Sequence, residues 1–217
     1  MKILIAIPCM DMLPVPFVAS LDGLIPVGEC AKFYECSSLI YDSRNNLARK
    51  AVKEGYDAIF WLDSDMVFEP DTLVDLARTM EEEGADLVTG LCFSRRYPNY
   101  RPTIFSELCY RLDIDSGKMD AIAETMYEYP KDAAFRIAGC GMACCLMKTV
   151  MVDEITREKG LPFAPLPGFG EDLSFCKKAA DLGYKLVCDS RVKVGHIGTV
   201  IVDERTYEAM RRNDGTD

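Results

Sequence analysis

No apolar run in this 217-residue chain approaches the ~18 residues a membrane-spanning helix requires, so no integral membrane segment is expected. Bases are short as well. The 25 lysines and arginines stand against 35 acids, a formal net charge of −10, which argues against broad electrostatic attachment to nucleic acid or anionic lipid. The N-terminal MKILIAIP carries one lysine and a short apolar run but no small-residue cleavage site, and reads as a first strand rather than a signal peptide. None of the ten cysteines forms a C-x-x-C pair, so neither a zinc site nor a disulfide framework fits well. Cys9, Cys92, Cys144, Cys145 and Cys188 sit instead inside apolar strand-like runs, as small buried thiols of a cytoplasmic protein would. Repeats, low-complexity segments and a clear linker are also missing, and a single domain is the expectation at this length.

What is present is an alternation of strands and helices. KILIAIP (Lys2 to Pro8) reads as a strand, Ser43 to Glu54 as a helix with Leu47, Ala48, Ala51 and Val52 on one face, and Asp57 to Leu62 as the next strand. A helix from Asp71 to Glu83 and a strand from Ala85 to Phe93 follow. This β-α-β-α-β order predicts an α/β domain with a mainly parallel sheet and right-handed crossovers. Past residue 94 the pattern predicts two strands between Arg101 and Tyr129, around a turn at Asp115-Ser116-Gly117. One long strand is expected from Phe135 to Met147, then helices over Thr149–Glu158 and Gly170–Leu182, and a last strand over Lys185–Val194. The residues from about Asp203 read as a polar tail.

The most informative stretch is IFWLDSDMVF, Ile59 to Phe68. Four apolar residues without polar alternation read as a strand buried on both faces. It ends in Asp63 and Asp65, whose ionised carboxylates are costly to bury unless a cation or donors compensate them. A divalent metal carrying a phosphate would do so. An acid-x-acid pair alone is a weak motif, since Asp113-Ile114-Asp115 matches it equally. That second pair lies beside Ser116-Gly117, where aspartates serve turn chemistry, and Gly117 and Lys118 do not suit positions five and six of an EF-hand. Only the first pair ends a buried strand, where open α/β sheets place their ligands.

Three further segments carry candidate chemistry. Gly168-Phe169-Gly170-Glu171-Asp172 leads glycines into two acids at a helix start, where Asp172 is either an N-cap or a general base. A helix N-terminus lowers a carboxylate's pKa, which weakens the second role. His196, the single histidine, stands between Gly195 and Gly198 after a predicted strand, either as a structural residue or as an imidazole ligand beside carboxylates. Arg95, Arg96 and Arg101 cluster with Tyr97 and Tyr100 in SRRYPNYRP, a solvated loop or a substrate-facing one.

In this order the segments KILIAIP, SRNNLARKAV, FWLDSDMVFEPDTL, GCGMACCLM, GFGEDLSFC and VGHIG resemble the GT-A-type nucleotide-sugar glycosyltransferases, over roughly residues 1 to 200. The chain looks most similar to compact single-domain enzymes of bacteria and their bacteriophages. The helix bearing Arg44 and Asn45 is also similar to that of fungal mannosyltransferases of the Anp1 type. The resemblance implies a single GT-A (Rossmann-like) domain with a small antiparallel section, residues 1–100 forming the nucleotide-sugar half, 101–200 the acceptor and catalytic half, and 201–217 a tail.

It also implies a divalent metal, Mn²⁺ or Mg²⁺, and a nucleoside-diphosphate sugar as donor. Asp65, Asp63 and His196 would form the metal and diphosphate site, with Asp172, beside Glu171, as the base of an inverting member. Pro8 would end the strand that receives the nucleotide base, with Asp11 as the early acid. Arg44, Asn45 and Ser64 would lie near the donor, and Gly139 and Gly141 would line its sugar pocket. The acceptor stays open among a saccharide, a protein, a lipid-linked sugar and a modified DNA base, as does association with further copies of the chain.

Two rival enzymes fit less well. A nucleotidyltransferase calls for a Gly-rich basic loop after strand one, where this chain has IPCMDMLPVP. A dinucleotide oxidoreductase calls for G-x-G-x-x-G there, and the nearest match, Gly139 to Cys144, lies mid-chain and lacks its third glycine. A non-catalytic sugar-nucleotide-binding domain is the alternative from another class.

Overall fold

The computed structural model describes residues 1–95, 100–115 and 117–198. Arg96 and Tyr97 of the basic loop, Ser116 of the predicted turn, and the tail from residue 199 lie outside the described residues.

The chain begins with β1 (Lys2–Cys9), α1 (Val15–Gly23), β2 (Glu29–Cys36), α2 (Ile40–Lys53) and β3 (Ala58–Leu62). Next come β4 (Met66–Val67), α3 (Thr72–Glu82), β5 (Leu87–Leu91), and the hairpin β6 (Ile104–Asp113) and β7 (Lys118–Thr125). Three short strands follow, β8 (Ala134–Arg136), β9 (Gly139–Cys140) and β10 (Cys144–Lys148), then α4 (Thr149–Lys159), α5 (Glu171–Asp181), β11 (Leu186–Lys193) and β12 (Gly195–His196).

A seven-stranded sheet in the order β2-β1-β3-β10-β5-β11-β8 forms the centre. Strands β2, β1 and β3 run parallel, as do β5 and β11, so the expected mainly parallel sheet is present. Both faces are covered. On β1, Leu4 and Ala6 point into a core shared with Leu47 and Ala51 of α2, Met151 and Ile155 of α4, and Phe175 of α5. Ile3, Ile5 and Ile7 point the other way, onto Phe17 of α1 and Leu73 and Leu76 of α3. A strand buried on both faces has no polar side to alternate with, which explains the unbroken apolar runs.

Four elements depart from the sequence reading. The expected strand Phe135–Met147 is three strands: β8 pairs with β11, β9 with β6, and β10 runs antiparallel between β3 and β5. Gly139 permits the break, because a Cβ there would lie 2.6 Å from Leu108 Cδ1 and 3.1 Å from Cys176 Cβ, closer than side chains approach. Helix α2 starts at Ile40 rather than Ser43, after the Ser37 hydroxyl accepts the Leu39 N–H at 3.2 Å. Helix α1 was hidden by Pro14 and Pro16, which occupy its first positions, and it buries only Phe17 and Leu21. Strand β2 is a sheet edge, and its mixed sequence ECAKFYEC does not alternate cleanly.

All ten cysteines are free thiols, and the five singled out in apolar runs are buried. Among the described residues no helix is long and apolar enough to cross a membrane.

Candidate active site

The strand β3 leaves the sheet at Leu62, and the chain turns at once, with Asp63 N–H donating to Ala143 O at 2.9 Å and Met66 N–H to Asp63 O at 3.2 Å. Two-residue β4 then pairs antiparallel with β12, setting His196 opposite Met66. What brings β12 here is an irregularity in β11 between Asp189 and Lys193. Asp189, fully buried, is held there by Thr79 of α3 and by Arg191, while Gly90 lets Val192 and Val194 lie close against β5. The chain thus crosses back so that Ile197 N–H donates to Asp65 O at 2.8 Å.

His196 Nε2 consequently lies 3.3 Å from Asp65 Oδ2. Its other nitrogen, Nδ1, lies 2.9 Å from the Phe93 carbonyl, which can only accept, so Nδ1–H donates there and the protonated ring turns Nε2–H toward Asp65. The bond to Asp65 raises the histidine's pKa, against the opposing effect of burial. Burial alone would raise Asp65. The His196 bond and charge and the Arg95 guanidinium outweigh it and hold that carboxyl below its usual range.

The two acids of the pair have different partners. Asp63 Oδ1 accepts from Arg44 Nη2 at 2.8 Å, and Arg44 Nε lies 3.6 Å from Glu171 Oε1. Arg44 is 2% exposed, with its guanidinium 5.5 Å from the Trp61 ring centroid. It therefore sits beneath the site, joining the turn after β3 to the start of α5. Burial opposes its charge, but Asp63, Glu171 and Asp172 keep it firmly protonated. Desolvation raises Asp63 despite the arginine. Asp65, by contrast, pairs with Arg95, whose Nη1 also donates to Ile197 O at 3.2 Å.

The loop before α5 is fixed from three directions. Lys178 Nζ donates to Leu161 O and Ala164 O at 2.8 Å, the Phe163 N–H donates to Asn45 Oδ1 at 3.1 Å, and the Tyr110 hydroxyl donates to Pro167 O at 2.9 Å. Phe163 stacks on Phe175 and meets Trp61 edge-on. Gly168, at φ 80°, passes so close to Ala121 that no side chain would fit. The result is a rigid approach to Glu171 and Asp172.

Asp172 is not the N-cap, which is Gly170; it stands one residue inside the helix and accepts the Leu173 N–H at 2.7 Å on Oδ1. Burial, with the neighbouring Glu171 charge, pushes its pKa up to about 6. The helix-terminus argument for a weak base is thereby outweighed by desolvation. Oδ2 faces Gly141, where an added Cβ would lie 3.7 Å away.

A cleft of about 350 Å³ opens beside the acid pair. Pro8, Asp63, Ser64 and Asp65 line it, together with Arg95 and with Met10, Ser37 and Ser38, which the sequence reading did not single out. Asp11 is exposed and does not line it, and Asn45 serves the Phe163 backbone rather than the cleft. Of the two glycines, Gly141 adjoins Asp172 while Gly139 is a packing position. Lys178 also went unnoticed, its one signal being a lysine flanked by the apolar face of a helix.

Residues 39–144, just under half of the chain, match the family described as Glycosyl transferase family 2. The mannan polymerase complex subunit mnn9 of Schizosaccharomyces pombe is 29% identical over an alignment covering 65% of this chain and 46% of the relative, so the chain spans less than half of that protein's length. Among solved structures, A197 from STIV matches with a TM-score of 0.61 and 20% identity, over 94% of this chain and 87% of that one. GalNAc-T7, solved with UDP, GalNAc and Mn²⁺, matches with a TM-score of 0.57 and 14% identity, over 90% of this chain and 44% of its own. The fold is that of GT-A-type domains, and the segment around the acid pair is similar to Glycosyl transferase family 2. In the GT-A domain the matched family segment runs from the start of α2 through the acid pair to β10, and leaves out α5 and His196.

A divalent cation finds a partial seat. Asp65 offers a carboxylate and His196, once Nε2 has given up its proton, an imidazole nitrogen, a mixed set that suits Mn²⁺. Asp63 is turned to Arg44, and among the described residues no three His, Cys, Asp or Glu side chains are gathered into a ready cage. Such an ion would draw its remaining ligands from phosphate and water, as hard cations at nucleotide sites do.

Proposed function

We propose that this domain transfers a sugar from a nucleoside-diphosphate donor to an acceptor hydroxyl, with Asp65 and His196 holding a divalent cation and Asp172 acting as the base. The observation that carries the reading is the convergence of three distant segments around the acid pair: the turn after β3, the β12 histidine against Asp65, and the start of α5, joined to Asp63 through Arg44. On this reading residues 1–100 supply the donor half, and His196 reaches across to it from the second half.

Asp172 has the properties of a working base. With its pKa at about 6 it is mostly ionised at neutral pH, yet holds a proton more strongly than an ordinary carboxylate. It takes the proton of the acceptor hydroxyl as that oxygen attacks the anomeric carbon. Gly141 leaves room for the reacting groups beside Oδ2. Arg44, with its fixed position between Asp63 and Glu171, keeps the donor turn and the base helix in register. Asp65 and His196 would hold a divalent cation, which would supply charge stabilisation to the diphosphate as it leaves.

A thermal-shift screen of UDP-, GDP- and TDP-sugars with and without Mn²⁺ tests this. At least one donor is expected to stabilise the wild type only when the metal is present, and to release free nucleoside diphosphate on incubation. Stabilisation by no donor, or an equal response in Asp65→Ala, would sink the reading.

A further inference from the structure

Among the described residues two arginines serve the acid pair, and they differ in a way that the transfer mechanism does not use. Arg44 is buried, tied to Asp63 and Glu171 together, and has no room to move. Arg95 is 52% exposed and lines the open cleft. Its guanidinium pairs with Oδ2 of Asp65, the same oxygen that faces His196 Nε2. The position where a cation would meet Asp65 is thus already held by a positive side chain.

The surroundings fix the base of Arg95 and leave its end free. Ser94 N–H donates to Arg101 O at 2.8 Å, and Arg101 N–H donates to Ser94 Oγ at 3.2 Å, closing the segment that carries it. Gly198 passes so near that a Cβ there would lie 3.3 Å from Arg95 Cβ, so the histidine strand runs directly along the arginine. Among the described residues, the guanidinium holds besides Asp65 the Ile197 carbonyl at 3.2 Å, a bond water can replace.

We infer that Arg95 is the resident counter-cation of Asp65 in the metal-free domain, and that it exchanges this carboxylate for the diphosphate of the donor when the site loads. The inference rests on the reading of the cleft as a metal-dependent nucleoside-diphosphate site. A guanidinium and a divalent cation competing for one carboxylate oxygen repel each other, so the arginine must leave as the metal enters. A planar fork freed beside an incoming diphosphate finds there a second anion suited to bidentate contact. Arg95 is in this sense a positioning residue. It suppresses cation capture in the empty site and then adds to donor binding.

The test reads two affinities that should move in opposite directions. Mn²⁺ is titrated into the full chain without nucleotide, and free Mn²⁺ is followed by electron paramagnetic resonance. Arg95→Met is expected to bind Mn²⁺ roughly three- to tenfold more tightly than wild type, a gain that shrinks at high salt. In saturating Mn²⁺ the same variant is expected to bind UDP or GDP about tenfold more weakly by calorimetry, as loss of a charge-assisted contact predicts. Arg95→Lys keeps the charge and should fall between the two.

Mn²⁺ binding by Arg95→Met that equals or falls below wild type overturns the inference. A gain in Mn²⁺ affinity with unchanged nucleotide affinity overturns the exchange onto the diphosphate. If wild type binds neither nucleotide, the donor reading fails, and the Mn²⁺ titration alone still decides whether Arg95 guards Asp65. A common thermal midpoint for the three proteins, expected for an exposed side chain, separates these outcomes from misfolding.

Discussion

Replacing Asp172 by asparagine should make the domain more stable and nearly inactive at the same time. In the fold this carboxyl has a pKa of about 6, against an ordinary value of 3.8, because burial and Glu171 disfavour its charge. Below pH ~4 it is protonated in both folded and unfolded chains and costs nothing. As pH rises the unfolded chain ionises first, so the group's contribution to stability falls between about pH 4 and 6 and stays low above that. Roughly two pKa units correspond to about 3 kcal/mol lost at pH 8.

An amide of the same shape does not ionise, and its oxygen still accepts the Leu173 N–H that Asp172 accepts at 2.7 Å. Asp172→Asn should therefore gain about 2–3 kcal/mol in urea unfolding at pH 8 and almost nothing at about pH 3, while transfer falls by about 10²- to 10⁴-fold. The acid limb of wild-type activity should lie near pH 6, and Glu171→Gln, which removes the adjacent charge, should move it lower. A variant no more stable than wild type at pH 8, or an acid limb near pH 4, would refute the argument.

Other residues give separate readings. Arg44→Met should destabilise the domain by about 3–5 kcal/mol in urea unfolding, since it leaves Asp63 and Glu171 without their shared partner, and Arg44→Lys should not restore it because an ammonium lacks the fork that serves both. Gly139→Ala should cost about 1–3 kcal/mol from contact with Leu108 and Cys176, measured as a lower midpoint. Gly141→Ala should leave the midpoint in place and reduce transfer by crowding Asp172, so the two glycines separate in one pair of assays. His196→Ala should weaken Mn²⁺ binding about 10- to 100-fold by titration, while Asp65 keeps its pairing with Arg95.

Much of the central architecture was legible in advance. The strands around Ile5, Phe60 and Val88 are apolar on both faces, and only a sheet covered on both sides gives that pattern. In the second acid pair Asp113 Oδ1 accepts the Asp115 N–H, the turn chemistry its neighbourhood suggested. Two kinds of element were not legible. Strand β2 is half-exposed and α1 is apolar around most of its circumference, so neither shows the period that marks a strand or a helix. The direction of β10 was hidden because an antiparallel strand between β3 and β5 is as fully buried as a parallel one and reads the same.

The local sequence determined that two acids would end a buried strand, that a Glu-Asp pair would open a helix, and that a lone histidine would follow the last long strand. These are consequences of short-range patterning, and they carried the reading as far as a metal and diphosphate edge. Partnership was decided by tertiary structure alone. Arg44 went to Asp63 and Glu171 rather than into the cleft, Asn45 went to the Phe163 backbone, and Arg95 and His196 met on one oxygen of Asp65. Each of these contacts joins segments far apart in the chain. Which of several cations meets which carboxylate depends on where the strands cross and on what is desolvated there, neither of which a local pattern contains.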